Sequence, residues 1–210
     1  DVVLNFEGDR YGGFRVVRAQ KNRYGSTNEA AIFEMDERGL RIVKNPSAEL
    51  LAERQNLDGS IVLATMEGAR PLLVEIQALV NPTNFGYPKR TASGFDLNRL
   101  NLLVAVLEKR TKLKLADKDI YVNVVGGLKL NDPAADLAVA MAIASASAGR
   151  SLDEGAVVFG EIGLGGEVRS ATNWQARIKE AKKLGFTYAI APKVHKDKFI
   201  KGVSDMRQAL

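Results

Sequence analysis

Five consecutive residues, Lys21-Asn-Arg-Tyr-Gly25, bring two cations and an amide together just before a glycine. Such a cluster suits contact with a phosphate or a carboxylate, because guanidinium and ammonium groups give charge-assisted hydrogen bonds to oxyanions. The same five residues serve equally as a basic hairpin turn. Other cations fall into two sets. Arg70, Arg90, Arg99, Lys129 and Arg169 fall at expected strand ends, loop positions or a helix start. The second set crowds the stretch from Trp174 to Lys201, where Arg177, Lys179, Lys182, Lys183, Lys193, Lys196, Lys198 and Lys201 face only Glu180 and Asp197. Arginine grips phosphate in a fixed fork, whereas lysines on an exposed helix more often make a solvated face. The first set is therefore preferred for phosphate contact. Binding through backbone charge alone is expected to ignore sequence and to weaken steeply with salt.

Composition limits the alternatives. At 210 residues the chain holds one sizeable core, or one domain and part of another. A formal charge of +5 and a pI near 9.4 lean towards a polyanionic partner. Apolar residues make up 46% and charged residues 26%, as in ordinary globular proteins. No apolar run has the length of a membrane span, and no signal peptide is expected ahead of the first residues. The absence of cysteine excludes thiolate metal sites and disulfides, and suits a reducing cytosol. A lone histidine, His195, gives no basis for a histidine metal site and is expected at the surface without a role.

The elements that must position these residues begin with three apolar strands, at residues 1–6, 14–19 and 30–35. A polar turn at residues 7–10 joins the first two. Three strands bury no face by themselves, so they are expected to be the edge of a larger sheet. A short connection follows over residues 39–46. From residue 47 the pattern is that of an α+β domain. A hairpin is expected from strands at 60–66 and 71–80, with Leu72, Val74, Ile76, Ala78 and Val80 on one face. Residues 81–94, with two prolines and two glycines, read as a long loop around Lys89. A helix over 96–110 has Asp96 as its cap and Leu97, Leu100, Val104 and Leu107 along one stripe. A strand over 120–125 closes on Gly126 and Gly127. Asp132-Pro133 starts a helix that stops at Gly149. Its alanines and serines allow close backbone approach, so it is expected to be central. A strand at 156–159, a helix over 173–184 and a strand at 188–191 complete the reading. Trp174 offers a stacking platform for an unpaired base, but packing of a helix start against the sheet is preferred.

Two resemblances carry the reading further. Gly160-Glu-Ile-Gly-Leu-Gly-Gly-Glu-Val-Arg169 resembles a strand segment of Lon-type proteases, and Asp132-Pro-Ala-Ala-Asp136 resembles the turn that carries their nucleophile. On that resemblance Ala134 stands at the place of the catalytic serine and Gln175 at the place of the catalytic lysine. A Ser-Lys dyad needs a hydroxyl to attack and a neutral amine to take its proton, and neither is present. The domain is therefore expected to be silent as a protease. Ser145 or Ser147 with Lys129 as base is the alternative, disfavoured because both serines lie within the small-residue helix.

Lys21-Asn-Arg-Tyr-Gly25 resembles the Lys-Asn-Arg-Phe-Gly signature of the bacterial RadA (Sms) family, with tyrosine for phenylalanine. Asn45-Pro-Ser-Ala48, the stretch from Arg70 to Val80, Val122-Asn-Val-Val-Gly-Gly127 and Val158-Phe-Gly-Glu-Ile162 resemble the same family in order along the chain. The resemblance implies residues 1–40 as the last strands of a RecA-like ATPase core, 41–46 as a linker and 47–210 as a Lon proteolytic-domain-like unit of α+β class. It further implies DNA repair and homologous recombination by a hexameric, ATP-driven branch-migration motor, cytoplasmic and associated with the nucleoid. Within it, Lys21, Asn22, Arg23, Tyr24 and Gly25 would work at the ATPase subunit interface, and Arg70, Arg90, Arg99, Lys129 and Arg169 would touch DNA. The implied partners are single-stranded and branched DNA without sequence preference, further copies in a ring and a RecA-type recombinase, with no membrane. ATP with magnesium and a zinc finger belong to the full-length parent. This chain contains no Gly-x-x-x-x-Gly-Lys-Ser/Thr loop and no cysteines, so no cofactor is expected within it. An oligomerisation scaffold without DNA contact and an RNA-binding unit remain the other readings.

Overall fold

The computed structural model describes residues 1–8, 13–27, 29–84 and 86–210. Strands β1 (Val2–Glu7), β2 (Phe14–Asn22), β3 (Ala30–Asp36) and β4 (Gly39–Ile42) form an antiparallel sheet in that order. The expected connection over 39–46 is thus half strand: Leu40 and Ile42 pair with Met35 and Phe33, which gives β3 a partner on its free edge. The turn expected at residues 7–10 extends outside the described residues. Val16 and Ile32 point inward and are buried, while Val2, Leu4, Phe6 and Ile42 are exposed.

Apolar packing and an ionic contact of Arg18 hold this small sheet to the rest of the chain. Arg18 on β2 donates to Glu67 and lies 3.5 Å from Glu7. Glu67 is buried at the tip of a hairpin, and burial pushes its carboxyl above the usual range despite the Arg18 charge beside it. Close approach is built in at Gly126, whose φ is +86°. A side chain there would collide with Leu50 and touch Phe14 of β2.

Seven of the remaining nine strands make one sheet. They are β5 (Ser60–Glu67), β6 (Arg70–Pro82), β7 (Arg90–Ser93), β8 (Lys118–Val124), β9 (Ala156–Val158), β12 (Tyr188–Pro192) and β13 (Ile200–Val203). Their order is β13-β12-β9-β5-β6-β8-β7, and β10 (Glu161–Ile162) pairs with β11 (Val168–Arg169) apart from it. The pairs β5/β6 and β6/β8 are antiparallel, while β7/β8, β5/β9, β9/β12 and β12/β13 are parallel. With helices α1 (Pro46–Leu50), α2 (Leu97–Arg110), α3 (Asp136–Ala148), α4 (Trp174–Lys183) and α5 (Met206–Ala209), the class is α+β.

The β5/β6 hairpin forms as its alternation predicts, with Ser60 opposite Gln77 and Glu67 opposite Arg70. Between Leu72 and Ile76, however, every residue is buried, because the strand runs through the middle of the sheet and is covered on both faces. Even Glu75 is enclosed there, accepting the Ser60 hydroxyl at 2.6 Å. Residues 90–93, expected within a loop, add β7 as an edge strand along β8.

Helix α2 begins where Asp96 accepts the Arg99 amide at 2.7 Å, a standard N-cap bond. Leu100, Val104 and Leu107 are buried, joined by Leu103 and Val106, while Leu97 is exposed at the first turn. Helix α3 follows a 3-10 turn over Pro133–Ala135 and is buried continuously from Asp136 to Ala144. A helix apolar all round belongs in the middle of a core, as the small residues predict. Gly149 ends it in the left-handed conformation, at φ 60°. Among the described residues no helix is long and apolar enough to cross a membrane.

Candidate nucleic-acid interface

The sheet order separates Arg90 from the second basic set, whereas Arg169 on β11 lies near the β13 end, where Val168 donates its amide to the Ser204 carbonyl at 2.9 Å. Strand β7, with Arg90 at its start, is one edge of the seven-stranded sheet, and β13, with Lys201, is the other. Five strands lie between them, so the edges stand roughly 29 Å apart at about 4.8 Å per strand. Arg90 and Lys201 therefore cannot share one patch.

Arg90 and Lys129 share the first edge. The loop carrying Lys129 returns to the end of β7, where Leu130 donates its amide to the Gly94 carbonyl at 2.8 Å. Lys129 is exposed and makes no ion pair among the described residues. The Arg90 guanidinium donates to the carbonyls of Lys118, Leu115 (3.0 Å) and Lys89 (3.2 Å). Those bonds orient the group on carbonyls, which carry no formal charge, and among the described residues Arg90 makes no ion pair. Arg70, at the tip of the β5/β6 hairpin, likewise donates to the Lys44 carbonyl at 3.3 Å.

The other two arginines of the first set are ion-paired. Arg99 donates to Asp136 from Nε (2.9 Å) and Nη2, and also to the Ile162 carbonyl at 2.7 Å. Asp136 is buried and accepts the Ile162 amide at 3.1 Å, so the cluster fastens α2 and α3 to β10. The Asp136 hydrogen bond raises the Arg99 pKa further above an already high value. Arg169 chelates Glu167 at 2.9 and 2.6 Å on an exposed hairpin. Backbone amides and Arg169 together lower the Glu167 pKa. The structure therefore brings Arg90 and Lys129 to one strand edge, without an ion pair among the described residues, and places Arg99 and Arg169 in ion pairs.

In the second set Arg177 is not a surface residue. It is fully buried, with Nη1 on Asp132 at 2.6 Å and on the Ala64 carbonyl at 2.7 Å, and Nε on the Thr172 carbonyl at 3.0 Å. Its Nη2 is buried without a hydrogen-bond partner. A signal for this was present in the sequence, since Trp174, Ile178 and Ala181 mark the buried stripe of α4 and Arg177 falls within it. Asp132 also accepts from the Thr65 hydroxyl and the Met66 and Ala134 amides, each at 3.0 Å. Burial alone would raise the Asp132 pKa, but Arg177 and the two amides outweigh it and hold the carboxyl below the usual range. Lys182 and Lys183 pair with Asp197 and Glu180, and Lys201 lies 3.5 Å from the centre of the Tyr188 ring. Lys179, Lys193, Lys196 and Lys198 are exposed.

Ala134 is buried in the 3-10 turn, its carbonyl accepting the Gly160 amide at 2.8 Å, and Gln175 is exposed on the first turn of α4. Ser145, the alternative nucleophile, donates to the Arg150 carbonyl at 2.6 Å and accepts the Gly59 amide at 2.9 Å. Both bonds are structural, and neither partner is a base. Trp174 packs against the core and stacks on His195 at 5.1 Å between ring centres. His195 Nε2 accepts the Ala171 amide at 3.1 Å, and burial with the nearby Arg177 charge lowers its pKa. Among the described residues no cluster of acidic or histidine side chains could hold a metal ion.

Lys21–Gly25 spans the end of β2 and the turn beyond it. Tyr24 donates its amide to Asn22 Oδ1 at 3.1 Å, so the asparagine shapes the turn, and the Tyr24 ring is 79% exposed. Arg23 lies over that ring at 5.8 Å and 3.5 Å from Asp1, with both partners of that ion pair largely in solvent. Exposed pairs of this kind contribute little.

Comparison with known proteins gives two findings. Residues 99–195 match the family model described as subunit ChlI of Mg-chelatase. Curated relatives include the DNA repair protein RadA of Halalkalibacterium halodurans, 53% identical over 193 residues, covering 91% of this chain and 42% of that protein. The DNA repair protein RadA of Bacillus subtilis is 50% identical over 100% of this chain and 48% of its own length. The protein of the same name from Aquifex aeolicus is 48% identical over 92% of this chain and 44% of its own length. The chain thus spans slightly less than half the length of these relatives.

Proposed function

Because the chain belongs to the RadA family of DNA repair proteins, we propose that it serves DNA repair and homologous recombination as part of a hexameric, ATP-driven branch-migration motor. In this reading residues 1–40 complete a RecA-like ATPase core, 41–46 link, and 47–210 form a Lon-like domain without protease chemistry. That domain acts as a scaffold for the ring and as a collar around DNA, working in the cytoplasm at the nucleoid beside a RecA-type recombinase.

The observation that carries the DNA contact is the placing of Arg90 and Lys129 along one strand edge without an ion pair among the described residues. Cations free of carboxylates are the ones that can exchange their counterions for phosphates. Arg70 extends the set at the hairpin tip. Lys21 and Arg23 sit on an exposed turn and suit a neighbouring subunit, where the Tyr24 ring would also find cover. ATP and magnesium would have to be held elsewhere in such a motor, because this chain lacks the phosphate-cradling glycine loop. The buried methyl of Ala134 and the outward amide of Gln175 support the absence of peptidase chemistry.

The test is branch migration by the complete motor carrying Arg90→Glu and Lys129→Glu. Slower migration and weaker stimulation of ATP hydrolysis by DNA, with hydrolysis in the absence of DNA retained, is the expected result. Unimpaired migration would instead favour the scaffold without DNA contact.

A further inference from the structure

A cavity of about 840 Å³ opens where the C-terminal ends of α2 and α3 meet α5. Its floor is aliphatic, with Ile61, Met141 and Ala144 buried beneath it. Its rim carries Arg110, Lys112, Arg150 and Arg207, and no acidic side chain lines it. Two helix C-termini add about half a negative charge each and the carboxylate that Leu210 carries in the 210-residue chain adds one, about two negative charges against four full cations. Among the described residues none of these cations is ion-paired.

The rim is held in place. The stem of Arg110 lies over Gly166, where a Cβ would come within 2.9 Å of Arg110 Cγ, and Gly166 is left-handed at φ +85°. Arg207 Nε donates to the Arg110 carbonyl at 2.8 Å. Ser145 fixes the Arg150 backbone through its hydroxyl at 2.6 Å and its carbonyl at 3.2 Å.

We propose that this cavity is a docking site for an acidic protein segment carrying a bulky apolar side chain. Charge complementarity selects the acidic residues at the rim, and the aliphatic floor takes the apolar one. Nucleic acid fits less well: phosphates would satisfy the cations, but no aromatic ring lines the floor to stack a base. Methionine in the floor adapts to different apolar partners. The size lies within the range of sites that enclose a ligand group, about 300–1,000 Å³.

The probe is a fluorescein-labelled peptide of aspartates and glycines closing on one phenylalanine, titrated against the 210-residue chain at low salt. Binding in the range of roughly 1–100 μM is expected. Arg150→Glu and Arg207→Glu should each weaken it about tenfold, as should alanine for the phenylalanine in the peptide. Lys129→Glu should leave it unchanged, and oligothymidine should not displace the peptide. Those arms separate this site from the proposed DNA edge, since either can fail alone. The proposal is overturned by absent binding, by indifference to the phenylalanine, by displacement with oligothymidine, or by self-association that Arg150→Glu abolishes.

Discussion

Asp132 and Arg177, 45 positions apart, form an ion pair at 2.6 Å inside the protein. Asp132 stands two residues before Ala134, and Arg177 two residues after Gln175. The turn before α3 and the first turns of α4 are thus joined by a charge pair that holds structure. Asp132 also caps the turn, so one carboxylate serves the helix start, strand β5 and α4 together.

Removing one partner of that pair should be costly. Arg177→Met leaves a buried carboxylate without its cation, and a loss of about 3–5 kcal/mol is expected. Chemical denaturation would measure it. A loss below about 1 kcal/mol, the range of surface pairs, would contradict the assignment.

Acid sensitivity follows from the same carboxyl. Its folded-state pKa lies below the unfolded value, so the unfolded chain binds the proton first as pH falls. The stabilisation is complete above about pH 4 and is lost as pH falls through the folded-state pKa. Asp132→Asn should therefore be less stable at neutral pH but flatter in its acid profile, read from denaturation midpoints over that window.

Arg99 should behave as a structural residue. Its fork on Asp136 predicts that Arg99→Ala destabilises the fold by about 1.5–3 kcal/mol and that DNA affinity per folded molecule is retained. A double-mutant cycle with Asp136→Asn should return a coupling of about 0.5–3 kcal/mol. Additive effects would break the pairing.

Trp174, the only tryptophan, reports on His195 through their stacking at 5.1 Å. The imidazole accepts a backbone amide, and burial with the nearby Arg177 charge holds its pKa below the ordinary histidine value. Protonation should quench the indole with a midpoint below about 6.5, the ordinary histidine value. His195→Gln should remove the transition, and a midpoint above about 6.5 would contradict the environment described.

Local signals in the sequence carried the three longer helices and the hairpin, but not the short α1 and α5. Asp96 and Asp132-Pro133 marked helix starts, Gly149 marked a stop, and alternation located β5 and β6. What escaped was set by distant partners. Residues 90–93 have no apolar alternation and become a strand only because β8 lies alongside. Likewise β13 exists through its parallel pairing with β12, and β10 and β11 are two-residue strands. The candidate site was legible as residue types but not as electrostatics. Arg90 and Arg99 look alike in sequence, and only the fold shows one on neutral carbonyls and the other on a buried carboxylate. Arg177 was legible as a buried position from its stripe, but its charge argued for the surface.

The most direct measurement is the affinity of this chain for fluorescent single- and double-stranded DNA across a salt series, beside Arg90→Glu and Lys129→Glu. The account predicts micromolar or tighter binding at low salt and a steep fall with salt. In each variant the salt slope should be shallower, by about one unit for every phosphate that is no longer neutralised. Binding that ignores both substitutions, or no binding at low salt, would contradict the DNA-contacting edge.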